Sequence, residues 1–140
     1  MDSKANARWE GGLKDGEGRV STESGVLEAS YSFKQRFEGE PGTNPEELIG
    51  AAHASCFSMA LSMILGEKGY TAEAIDTAAR VTLSQSAGGF DISSIHLEVS
   101  ASVSGADEAV FQEAAETAKA NCPVSKVLNA DITMTAKIKN

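Results

Sequence analysis

Two cysteines, Cys56 and Cys122, are the side chains of this sequence best suited to nucleophilic and redox chemistry. They stand 66 positions apart, so neither a zinc knuckle nor a Cys-x-x-Cys redox motif is present. Free cysteine is among the most buried residue types and often only fills space, and from composition alone a packing role is open to both. Against it, Cys122 precedes Pro123 at a helix start, where exposed N–H groups and the helix dipole lower a thiol's pKa. By local electrostatics Cys122 is the more ionised of the two.

Other candidates are weaker. His53 and Cys56 share a helical face and could be half of a zinc site, but His96 is the chain's other histidine and the ligand set is thin. No metal and no cofactor is expected. Gly11, Gly12, Gly16 and Gly18 lack the strand–loop–helix context of a phosphate loop and read as turns. Met59 and Met63 recur at helical spacing and read as packing. Arg36, taken alone, is an ordinary surface arginine that lies close to the entrance of the next element.

That element is a helix that must carry Cys56. Asn44 suits the N-cap, Pro45 the first helical position, and Glu47 falls where a capping-box carboxylate reaches back. From Leu48 to Leu65 there is no charge, and Gly69 can supply a left-handed residue after the last turn. The spacing predicts a helix of about 24 residues, ~36 Å long. A helix apolar all round must be buried all round. With Gly50, His53, Ser55, Ser58 and Ser62 inside the run, a protein core wrapped by sheet is the better host than a membrane.

The remaining elements form an α+β order. Residues 6–10 and 18–22 predict a short antiparallel pair around the Gly11–Gly12 turn. Residues 29–37 predict a third strand with Tyr31, Phe33 and Phe37 on one face. A long hairpin over residues 75–84 and 90–103 follows, its apolar side made by Ile92, Ile95, Leu97, Val99 and Val103. A helix over residues 107–119, a helical piece beginning at Pro123, and a strand over residues 132–138 close the chain. Residues 1–140 are expected to form a single domain. The net charge of −8 and pI near 4.7 disfavour nucleic acid and anionic membrane as partners. No secretory signal is read at the first residues, so the cytoplasm is expected, with both cysteines resting as thiols.

Arg36-Phe37-Glu38-Gly39, the run from Gly42 to Ala60 containing Thr43-Asn44-Pro45-Glu46-Glu47-Leu48 and His53-Ala54-Ser55-Cys56, and Asn121-Cys122-Pro123-Val124-Ser125 together resemble the OsmC/Ohr family. The OsmC branch, osmotically inducible hydroperoxide reductases, is the nearer. The resemblance extends to Trp9-Glu10-Gly11 and residues 20–27, and so runs along nearly the whole chain. It implies a thiol-dependent peroxidase of organic hydroperoxides, with Cys56 as peroxidatic nucleophile, Cys122 as resolving thiol, and Arg36 and Glu46 as the polar pair serving Cys56. Chemically, a thiolate attacks the terminal peroxide oxygen, an alcohol leaves, and the sulfenic acid condenses with the second thiol. A dithiol then reduces the disulfide, with lipoylated proteins among the reductants the family suggests. A redox sensor and a non-enzymatic dimeric carrier of an apolar ligand are the competing readings.

The fold implied by the resemblance is an intertwined homodimer in which curved antiparallel sheets wrap the central buried helices. Helix geometry bears on this. Glu46 and Cys56 on one straight helix are ~15 Å apart along the axis and roughly 80° apart around it. Two copies crossing antiparallel near residue 51 would bring Glu46 of one level with Cys56 of the other, as a two-fold axis requires.

Overall fold

Short apolar–polar runs flanking a glycine turn pair into the first sheet. β1 (Ala5–Glu10) and β2 (Glu17–Thr22) are antiparallel with Ala5 opposite Thr22, and β3 (Glu28–Tyr31) adds to β2. Gly18 is needed there, because a Cβ would overlap the rings of Trp9 and Tyr31, which approach to 5.6 Å between centroids. The structure, a computed structural model, describes residues 1–139. It resolves into two compact units, Met1–Leu48 and the remainder from Ile49.

The expected strand over residues 29–37 is corrected. β3 ends at Tyr31, and Ser32, extended at φ −157°, caps a helical turn α1 (Phe33–Phe37) by accepting from the Gln35 N–H at 3.3 Å. The signal was in the sequence: Ser followed three positions later by Gln has the spacing of a capping box. Phe33 and Phe37 are four apart as well as both odd-numbered, so helix and strand each put them on one face. In the helix their rings pack tilted at 44°, with centroids 4.9 Å apart. Gln35 then pins the following loop, donating to the Pro41 carbonyl at 2.9 Å.

α2 (Pro45–Glu67) starts and stops where the sequence says. Asn44 accepts from the Glu47 N–H at 2.8 Å. Glu47 does not close the expected capping box; its carboxylate takes the Thr43 hydroxyl at 3.0 Å instead. At the far end Gly69 has φ +89°, Tyr70 donates to Leu65 O and Gly69 to Gly66 O, the paired bonds of a Schellman motif. Two serines of the run bond to its own carbonyls, Ser55 to Ala52 O and Ser58 to Ala54 O.

The second unit continues with β4 (Ala72–Ser86) and β5 (Gly89–Val103), an antiparallel hairpin closed by Ala87 and Gly88. Ile92 and Ile95 share a face despite their odd spacing because the register slips between Thr82 and Leu83, a bulge that restores the phase. α3 (Glu108–Asn121), capped by Asp107, and α4 (Pro123–Val127) lead to β6 (Asp131–Ile138). β6 lies parallel to β5, Ser94 opposite Asp131. Not every pairing is therefore antiparallel: a helical crossover returns the chain to the same end of the sheet, which a hairpin cannot do.

Ile95, Leu97, Val99, Ala101 and Val103 of β5, Phe111, Ala114, Ala115 and Ala118 of α3, and Phe57, Leu61, Ile64 and Leu65 of α2 form one core. Burial of α2 is one-sided in the single chain. Gly50, His53, Phe57 and Leu61 face inward, whereas Ala51, Ala52, Ser55, Met59, Ser62 and Met63 are exposed, Met59 at 75%. α2 is also long and apolar enough to cross a membrane by length and composition.

Candidate active site

The two thiols meet where α2 passes the junction of α3 and α4. Cys122 closes α3 and caps α4, with Pro123 in the first helical position. Its sulfur accepts from the Ser125 N–H and shares a hydrogen bond with the Ser125 hydroxyl, both at 3.3 Å. Cys122 is fully buried, Cys56 only partly, and both are free thiols close enough for each to shift the ionisation of the other. The sequence reading named both cysteines, and the fold brings them together across 66 positions.

Their electrostatics differ in the sense the local sequence implied. Burial pushes the Cys56 thiol up, the Val124 amide opposes this in part, and the neighbouring Cys122 pushes it further up. Burial also pushes Cys122 up, but the hydroxyl and amide of Ser125, with smaller help from Cys56 and the Val124 amide, bring it below its ordinary value. Among the described residues, no cation is one of the groups that shift Cys56.

Within the first unit the other two predicted residues also meet. Arg36 Nη2 lies 2.6 Å from Glu46 Oε1, and its Nε lies 3.2 and 3.3 Å from the two carboxylate oxygens. Such a fork-shaped pair fixes the guanidinium plane. α1 turns Arg36 toward the start of α2, and the guanidinium carbon also sits 5.4 Å from the Phe37 ring centre. Beside it, Trp9, Leu13, Tyr31, Phe33, Phe37 and Pro45 line a groove of about 290 Å³.

Two residues of the site went unnamed in the sequence reading for this role. His53 is fully buried on α2 and its Nε2 lies 2.7 Å from Ser125 Oγ. A histidine inside an uncharged helical run was the visible signal for it. Among the described residues, no group of three or more His, Cys, Asp or Glu side chains could hold a metal ion.

The model of the family described as "OsmC-like protein" matches residues 37–137. The chain is 55% identical to Peroxiredoxin OsmC of Escherichia coli (strain K12) over 100% of this chain and 99% of that protein. It is 32% identical to an organic hydroperoxide resistance protein of Xanthomonas axonopodis pv. citri, covering 85% of each. The crystal structure of OhrB, the organic hydroperoxide resistance protein of Bacillus subtilis, superposes with a TM-score of 0.76 at 28% identity, covering 98% of both chains.

Proposed function

The chain belongs to the OsmC family and is a cysteine-based peroxidase of organic hydroperoxides, and from that premise we propose how its own residues carry the reaction. Cys56 attacks the peroxide as a thiolate, releasing the alcohol and becoming a sulfenic acid. Cys122 then displaces the sulfenic hydroxyl as water to form a disulfide, and a dithiol, of which lipoylated proteins are the proposed source, restores both thiols. The observation that supports this reading is the proximity of the two thiols, Cys56 partly exposed and Cys122 buried.

Cys56 needs a cation to be held as thiolate, since burial works against its ionisation. Arg36, oriented by Glu46, is the proposed source. A homodimer is part of the proposal and is supported by two features. None of the fully buried apolar residues belongs to Met1–Leu48 among the described residues, and a segment of that size does not stabilise itself without a core. The exposed apolar stripe of α2 likewise calls for a cover. A second copy answers both, in one OsmC-like domain per chain over residues 1–140. The proposed compartment is the cytoplasm, where thiols rest reduced. Neither a membrane nor nucleic acid is a proposed partner, in keeping with the −8 net charge.

Stoichiometry with an alkyl hydroperoxide and a dithiol tests the reading. The enzyme turns over many equivalents; a sensor would consume about one and stop, and a carrier would consume none. Cys56→Ser should abolish consumption, and Cys122→Ser should still give a Cys56 sulfenic acid, by mass spectrometry, without a disulfide. First oxidation at Cys122 in Cys56→Ser protein, at the wild-type rate, would reverse the roles.

A further inference from the structure

His53 and Ser125 are buried polar groups in contact, and the reaction as derived above uses neither. Their hydrogen bonds form a chain that ends on a reacting atom: His53 Nε2 to Ser125 Oγ at 2.7 Å, then Ser125 Oγ to Cys122 Sγ at 3.3 Å. The Ser125 N–H reaches the same sulfur. The other ring nitrogen, His53 Nδ1, is buried without a hydrogen-bond partner among the described residues.

That orphan fixes the direction of the chain. A neutral imidazole carries one proton, on one nitrogen or the other. If Nδ1 carried it, a buried N–H would have no acceptor, and such orphaned donors are rarer than under-satisfied acceptors. The proton therefore belongs on Nε2, which donates to Ser125 Oγ. The serine hydroxyl, having accepted from His53, turns its single proton to Cys122. Hydroxyl and amide of Ser125 then converge as two donors on one sulfur.

We infer that His53 is a positioning residue for the resolving step: it fixes the Ser125 hydroxyl as a donor to the Cys122 thiolate, the form that attacks the Cys56 sulfenic acid. This rests on the reading of Cys122 as the resolving thiol. In the step, the Cys122–Cys56 sulfur–sulfur bond forms and the Cys56 S–O bond breaks. Cys122 is oxidised and Cys56 reduced to the disulfide level. The departing hydroxide takes up the proton that Cys122 lost on ionising and leaves as water. His53 gives up no proton and stays neutral, as its burial favours. The net lowering of the Cys122 thiol by the Ser125 donors, against burial, agrees with this arrangement.

The test separates the hydrogen-bond chain from the peroxidase chemistry. In a Cys56→Ser background, without peroxide, the pH dependence of Cys122 alkylation is measured for His53→Leu, His53→Gln and Ser125→Ala. In proteins retaining Cys56, the ratio of disulfide to persisting sulfenic acid is measured after one equivalent of cumene hydroperoxide. Losing the hydroxyl donor should leave roughly tenfold less Cys122 thiolate at neutral pH, the effect of one hydrogen bond to a charged group. Ser125→Ala and His53→Leu should both show it and both accumulate sulfenic acid. His53→Gln keeps an N–H donor and should recover most of the loss. The double variant His53→Leu/Ser125→Ala should be no worse than Ser125→Ala alone.

A folded His53→Leu protein with unchanged Cys122 alkylation overturns the inference, as does His53→Gln performing no better than His53→Leu. If His53→Leu does not fold, Ser125→Ala decides: unchanged Cys122 alkylation there overturns the chain. If alkylation shifts as expected but the wild-type protein forms no disulfide with peroxide, the reading of Cys122 as resolving thiol fails while the hold of His53 upon it stands.

Discussion

Arg36 binds Glu46 through two guanidinium nitrogens, Nη2 at 2.6 Å and Nε at 3.2 Å from the same carboxylate oxygen. The Glu46 side chain is 10% exposed and that of Arg36 36%, so the acid is a nearly buried anchor and the base reaches outward from it. The pair has the form of a mount for a directed cation, which a solvated surface ion pair does not.

This leads to the first prediction. Arg36→Lys keeps a charge and loses the fork, and Glu46→Gln keeps the shape and loses the anchor. Each should slow sulfenic acid formation at Cys56 by roughly ten- to a hundredfold, the worth of one or two hydrogen bonds to a charged group. Stopped-flow measurement of the first oxidation, with circular dichroism to verify the fold, checks it. A wild-type rate in Arg36→Lys would show that only charge, and not direction, is required.

The second prediction concerns substrate. The groove beside Arg36 is lined by the aromatic rings of Trp9, Tyr31, Phe33 and Phe37. A tail burying about 100 Å² there gains ~2.5 kcal/mol, or roughly seventyfold in rate constant. Cumene hydroperoxide should therefore outpace hydrogen peroxide. Phe33→Ser should reduce the rate with cumene hydroperoxide and leave that with hydrogen peroxide nearly the same. Equal second-order rates for the two oxidants in the wild-type protein would remove the groove from consideration.

Particular residues show how much of this was legible in the sequence. Asn44, Pro45 and Gly69 marked the ends of α2 because capping chemistry is local. The alternation of β5 is equally local, whereas the bulge that keeps Ile92 in phase with Ile95 shows only in the pairing with β4. α1 is ambiguous in the sequence because Phe33 and Phe37 satisfy both a period of two and a spacing of four, and only the capping spacing of Ser32 and Gln35 favours the helix. The parallel seat of β6 depends on where a crossover returns, which no window of sequence contains. The four named site residues came from motifs. The contact of His53 with Ser125 spans 72 positions and had no motif of its own in that reading.

The third prediction is a pH dependence of stability. His53 is buried, and burial lowers its pKa below the ordinary value of 6.5. The unfolded chain then binds a proton at a pH where the folded chain does not, so stability rises with pH in that window. The contribution of His53 is fully present above pH 6.5, the unfolded value, and is lost as the pH falls through the lower folded value. Urea unfolding between pH 8 and pH 5 should show this loss in the wild-type protein. In His53→Gln, which cannot titrate, the fall below about pH 6.5 should flatten. Parallel curves for the two proteins would mean that acid destabilisation arises elsewhere.

The fourth prediction follows from where α2 is open. Gly50 faces Ala79 and Val81 of β4, whereas Ala51 and Ala52 are exposed. A two-fold crossing near residue 51 would use these two alanines, with the exposed Met59 and Met63 two to three turns further along the helix. Such a crossing is isologous, so Glu46 of one copy would serve Cys56 of the other and Glu46 of the second would serve Cys56 of the first. Complementation tests this: inactive Cys56→Ser and Glu46→Ala chains are unfolded and refolded together, and heterodimers are purified through two different tags. If the sites are composite, one of the two in the heterodimer has both intact residues, and about half of the wild-type activity returns. If each site is complete within a chain, neither heterodimer site is intact and activity stays at the level of the Glu46→Ala parent. Met59→Glu with Met63→Glu provides the control on assembly, since covering two added carboxylates on each copy without a partner should be costly enough to turn the dimer into monomers by light scattering.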